Sequence, residues 1–150
     1  MNEMPNEEAE KLIAKGQEAL ANEHDYLALT CFEQAIRLEW SPLACSCLAF
    51  CIAKVRRSYH EATLLARKAL EQEPENPVLY KHLGRILLLA GDNEQGIKTL
   101  RQGLKFGEQI SIVHELEKLG IRKPPIFKNL PRSHPLNKNL GLLLAWLGLR

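Results

Sequence analysis

Ala28, Ala62 and Gly96 stand 34 positions apart, and Ala35, Ala69 and Gly103 keep the same interval seven residues later. A fixed period of this length marks a stacked-helix solenoid, in which one unit cannot bury its own apolar face and depends on its neighbours. The side chains at the repeating positions are small for a physical reason. Two helix axes approach to about 8–10 Å only where the contact residues permit it, so Ala and Gly recur at the crossings. Phe32, Leu48, Leu83 and Leu100 are expected to fill the space between those crossings. In such an array function lies in a surface rather than in a reaction centre.

Local chemistry sets the helix limits. Ser41-Pro42 and Asn76-Pro77 each place a capping residue before a proline at the first helical position, where a missing N–H costs nothing. Asp92 and Ser58 are expected to cap two further helices, and Gly91, Gly107 and Gly120 to end helices in the left-handed conformation. Between these limits apolar residues follow helical spacing, as in Leu83, Ile86, Leu87 and Ala90, and no window alternates as a strand would. An all-α fold follows.

The third unit reads Tyr80-x₂-Leu83-Gly84-x₂-Leu87, then Gly91-Asp92, then Gly96-x₃-Leu100-x₂-Gly103. The first reads Leu12-x₂-Lys15-Gly16-x₂-Ala19, then Ala28-x₃-Phe32-x₂-Ala35. The second reads Cys45-x₂-Leu48-Ala49-x₂-Ile52, then Ala62-x₃-Ala66-x₂-Ala69 and Pro74. This pattern resembles the tetratricopeptide repeat. Ala49 to Ala62 spans 13 residues where Gly16 to Ala28 and Gly84 to Gly96 span 12, so one extra residue is expected in the turn near Arg56 to Ser58. The resemblance implies a right-handed superhelical stack of antiparallel helix pairs. Its repeats cover about 9–42, 43–76 and 77–110, with a capping helix at about 109–119, inside a solenoid domain of 1–121.

A net charge of +2 hides an asymmetry. Residues 1–121 carry 14 basic and 18 acidic side chains, whereas nothing acidic follows Glu117 and Arg122, Lys123, Lys128, Arg132, Lys138 and Arg150 are basic. Residues 122–135 hold Pro124, Pro125, Pro131 and Pro135, which favour an extended connector. Residues 136–150 read as a helix that is apolar almost all round, much shorter than the ~20 residues a membrane span requires. Something must cover it. It can cap the solenoid, it can form a second interface or a homodimer through Leu142, Trp146 and Leu149, or it can lie on a membrane surface. The last wants a broader basic face than Lys138 and Arg150 supply.

No Ser, His and Asp set, glycine-rich phosphate loop or His-x₃-His pair occurs, so no catalytic residue and no cofactor is expected. His24, His60, His82, His114 and His134 are scattered and read as polar surface residues. Cys31, Cys45, Cys47 and Cys51 could be a thiolate metal site, but their helical placement favours small buried hydrophobes over ligands, and no metal is expected. An acidic body with few aromatics argues against nucleic acid. The N-terminus has neither a basic segment nor an apolar run, and free thiols suit a reducing compartment, so the expected location is cytoplasmic.

In proteins of the tetratricopeptide kind the first helix of each unit lines a concave groove that holds a partner peptide or helix. The resemblance therefore implies a groove of Ile13, Gln17 and Leu20, then Leu43, Ser46, Phe50 and Ala53, then Val78, Lys81, Arg85 and Leu88. Lys81 and Arg85, one turn apart, can reach one anionic group. The Lys, Asn and Arg clamp by which some relatives grip a chaperone's C-terminal carboxylate is not reproduced, because Ile13, Gln17, Ser46 and Phe50 stand in its place. The expected function is a protein-binding adaptor. The alternative is a chaperone or peripheral membrane assembly factor that shields a hydrophobic client segment and docks or dimerises through its last helix.

Overall fold

In a computed structural model of the chain, residues 6–107 and 110–120 are described. They form seven α-helices and no strand: α1 (Glu7–Ala21), α2 (Asp25–Leu38), α3 (Pro42–Val55), α4 (Tyr59–Gln72), α5 (Pro77–Leu89), α6 (Asn93–Gly103) and α7 (Ile110–Lys118), with a 3₁₀ turn at Leu104–Phe106. Helices pair as antiparallel hairpins, α1 with α2, α3 with α4 and α5 with α6, and each hairpin stacks on the next through α2 on α3, α3 on α5 and α4 on α5. The connector and the apolar segment assigned to 122–150 lie outside the described residues. Among the described residues no helix is long and apolar enough to cross a membrane.

The proline-marked starts are capped as their chemistry demands. Ser41 Oγ accepts from the Ala44 amide at 3.2 Å and Asn76 Oδ1 from the Val78 amide at 3.0 Å. Asn6 does the same for α1, accepting from the Glu8 and Ala9 amides, while its own amide donates to Glu39 Oε2 at 2.7 Å and ties the start of α1 to the link between α2 and α3. Asp92 caps α6 through the Gln95 amide. Ser58 makes no side-chain cap, and Gly107 has a φ of 162°, which is extended backbone rather than the left-handed form.

The three hairpin turns are equivalent. Asn22, Arg56 and Ala90 close the first helices; Glu23, Arg57 and Gly91 follow at φ of 60°, 56° and 87°; His24, Ser58 and Asp92 then precede the second helices. All three sets keep the interval of 34, so no extra residue sits between Arg56 and Ser58. The shift lies in the motif instead: Phe50, not Ala49, occupies the position of Gly16 and Gly84.

That exchange has a packing reason. A Cβ on Gly16 would lie 2.8 Å from the Phe32 ring, and one on Gly84 would lie 2.6 Å from Leu100. In the middle unit the residue in register with Phe32 and Leu100 is Ala66, whose small side chain leaves room for Phe50. Bulk has changed sides of the hairpin. The other crossings behave as the small-residue period requires, since Ala28, Ala35, Ala62 and Ala69 are fully buried and a Cβ on Gly103 would lie 2.7 Å from Tyr80.

Helix α3 is the centre of the stack. Its sequence carries no charge before Lys54, and every residue from Ala44 to Ala53 except Leu48 is buried, packed among α2, α4 and α5. Phe32, Ile86, Leu100 and Ile112 are the largest aliphatic or aromatic side chains with no exposure, along with Leu79.

Candidate functional site

The first helices α1, α3 and α5 carry the nominated groove residues, which lie at different depths. Ile13, Leu20 and Leu43 are half-buried against the core, and Gln17 is exposed. Val78, Lys81, Arg85 and Leu88 are half-buried, although Leu88 leans on Gly96 of α6. Ser46, Phe50 and Ala53 are buried and contribute from beneath the surface. In true register with Ile13 and Lys81 stands Cys47, with Gln17 and Arg85 stands Cys51, and with Leu20 and Leu88 stands Lys54.

Ser46 and Phe50 act through α5. Ser46 Oγ is hydrogen-bonded to His82 Nδ1, the His82 ring stacks on Phe50 at 14° between planes, and the Arg85 guanidinium carbon sits 4.2 Å from the centre of the Phe50 ring. Arg85 Nε also lies 3.6 Å from Glu115 of α7. A cation over an aromatic face with a carboxylate alongside is restrained in orientation, so Arg85 is a positioned charge on α5. Lys54 reaches Asp25 at 2.6 Å and links α3 to α2.

Lys81 is placed differently. Burial, and then the neighbouring Arg85 charge, pull its ammonium below the ordinary lysine range. Among the described residues no carboxylate lies within 4.0 Å of it. An anion brought to this spot by a partner would relieve both the desolvation and the repulsion.

His82 was legible only as a polar surface residue, and the structure buries it at 6% exposure. Burial, with the charges of Lys81 and Arg85, lowers its pKa to about 3, so the ring is neutral at ordinary pH and serves as a hydrogen-bond partner rather than a cation. Its signal in the sequence was faint: Leu48 and Ala14 hold the equivalent positions in the other units.

Between α1 and the start of α3, away from Lys81 and Arg85, lies a cavity of about 360 Å³. Ala9, Ile13, Ala14 and Leu43 supply its apolar lining, and Glu10, Gln17, Glu39 and Ser41 the polar share. Three of the nominated groove residues, Ile13, Gln17 and Leu43, are thus brought to one place. Glu10 and Glu39 were not nominated; they lie 29 residues apart and in different structural roles, one on α1 and one closing α2.

The four thiols are buried and free. Burial pushes Cys47 and Cys51 up to about 12, so they remain protonated, whereas metal ligation and nucleophilic attack need the thiolate. Among the described residues no group of three or more His, Cys, Asp or Glu is placed to hold a metal ion. Leu142, Trp146 and Leu149 lie outside the described residues.

Helical hairpins stacked at a 34-residue period around one largely buried first helix make this an all-α solenoid. Residues 56–116 of the chain match the family model described as tetratricopeptide repeat. Among solved structures it is similar to the Sgt2 TPR domain from Aspergillus fumigatus, at 16% identity and a TM-score of 0.59, with 89% of this chain and 95% of that one covered. It is also similar to yeast Tom70, at 21% identity and a TM-score of 0.51; 88% of this chain is covered, and it spans 32% of the Tom70 chain. At these identities the likeness concerns the fold. A comparison with curated protein sequences yields no match.

Proposed function

We propose that the chain is a non-catalytic adaptor whose inner face, from Ile13 and Gln17 on α1 to Val78, Lys81 and Arg85 on α5, binds a peptide or an amphipathic helix of a partner protein in the cytoplasm. The observation that carries this reading is Lys81: a half-buried ammonium beside the Arg85 guanidinium, with Glu115 acting on it only from beyond 4.0 Å and no carboxylate closer among the described residues. Half-buried Val78 and Arg85 flank it. A segment that laid an apolar stripe along this face and a carboxylate at this point would satisfy both kinds of contact. The repeat family supports the reading, since its members characteristically work by non-covalent binding of proteins.

The test uses the full chain and a Lys81→Glu, Arg85→Glu variant as baits for affinity capture from native lysate, with mass spectrometry as readout. Partners are expected to be retained by the wild type and lost by the variant, with helical circular dichroism unchanged in both. Equal capture by the two baits moves the binding face elsewhere.

A further inference from the structure

We propose that the cavity between α1 and the start of α3 is a side-chain pocket that takes one large apolar residue of the bound segment together with an adjacent lysine or arginine. This rests on the reading of the inner face as a peptide-binding surface and specifies what one end of it recognises. The cavity has the size of small-ligand sites, roughly 300–1,000 Å³, and their composition, an apolar lining with a few polar groups. Ile13 and Leu43 give it an apolar floor continuous with the core. Two carboxylates, Glu10 and Glu39, belong to the same lining. Among the described residues neither has a cation within ion-pair distance, although Glu39 accepts the Asn6 amide on one oxygen.

Charge then selects the occupant. An apolar hole edged by two carboxylates that have no cation beside them among the described residues disfavours an acidic neighbour and favours a basic one. The far end of the same proposed face has the opposite sign, with Lys81 and Arg85. A segment basic at one end and acidic at the other fits in one direction and is repelled in the reverse one, so the two ends together set polarity.

The probe is a phage-displayed library of random 12-residue peptides selected on the full-length chain. Enriched peptides are then measured by fluorescence polarisation against wild type, Glu10→Lys, Ala14→Phe and Arg85→Glu. Glu10 and Ala14 are exposed and make no side-chain bond that folding needs, and circular dichroism checks each variant. The expected result is enrichment of an apolar residue next to Lys or Arg, with binding weakened tenfold or more by Glu10→Lys and by Ala14→Phe alike. Peptides weakened by Arg85→Glu but indifferent to the other two overturn the pocket and leave the inner-face reading standing. An effect of only one of Glu10→Lys and Ala14→Phe also overturns it. Peptides indifferent to all three variants, or no enrichment at all, overturn both.

Discussion

Ser46 on α3 and His82 on α5 meet in a buried hydrogen bond of 2.5 Å between consecutive repeats. Both residues are buried, and no buried side-chain nitrogen or oxygen among the described residues lacks a partner. Ser46→Ala strands the His82 nitrogen and is expected to lower stability by about 1–3 kcal/mol, the desolvation of one unpaired buried group. Ser46→Ala with His82→Leu removes both polar atoms and should recover most of that loss. Urea denaturation of the two variants checks it; equal losses would show that the bond contributes little.

Acid sensitivity follows from the same ring. His82 titrates near 3 in the folded chain, against an ordinary 6.5 when unfolded. Between those values the unfolded chain binds a proton that the folded one refuses. Its contribution to stability is therefore complete above pH 6.5 and declines as pH falls, by up to ~1.4 kcal/mol per pH unit. Thermal melts from pH 7 to pH 4.5 should show a steeper decline for the wild type than for His82→Gln. Parallel curves would assign the acid response to other groups.

Gly84 and Leu100 are coupled by contact. A methyl group on Gly84 would press on Leu100 from 2.6 Å, so Gly84→Ala is expected to destabilise by about 1–2 kcal/mol as overpacking outweighs its gain in helix propensity. In a Leu100→Ala background the side-chain clash is gone, and the Gly96 carbonyl oxygen at 3.2 Å is the close contact that remains. There the same substitution should stabilise by up to ~1 kcal/mol. A double-mutant cycle in urea reads the change of sign, and additive effects would place the tight contact elsewhere.

The hairpin turns offer a stabilising change. Glu23 and Arg57 adopt the left-handed conformation that Gly91 fills in the third unit. A side chain there costs about 1–2 kcal/mol, partly offset because glycine loosens the unfolded chain. Glu23→Gly and Arg57→Gly should each raise the melting temperature by a few degrees. A fall in either would mean that its side chain makes contacts worth more than the strain.

The helical hairpins were readable because their signals are local: proline after a capping residue, Gly91 and Asp92 at a turn, and small residues at a constant interval. The middle unit misled by one position. Leu48-Ala49 imitates Leu83-Gly84, while the true counterpart of Gly84 is Phe50, whose bulk is admitted only by Ala66 on the facing helix. A pattern read along one strand of sequence does not register an exchange made across two helices. The turn at Arg57 was likewise obscured by its lack of glycine. Lys81 and Arg85 were visible as a pair one turn apart, but the orientation of Arg85 depends on Phe50 and Glu115, which only packing brings to it. His82 gave no sign of burial, and Glu39 joins Glu10 through the geometry of a linker that lies outside the repeating pattern.

The exchange of Phe50 for glycine makes the three units non-interchangeable. A duplicated middle unit would set Phe50 and Ser46 against Leu48, which can neither stack with the ring nor share a proton with the hydroxyl. Unlike a consensus array, which can be lengthened link by link, this one resists insertion, deletion or shuffling at its centre. Its length is written into the identity of its keystone.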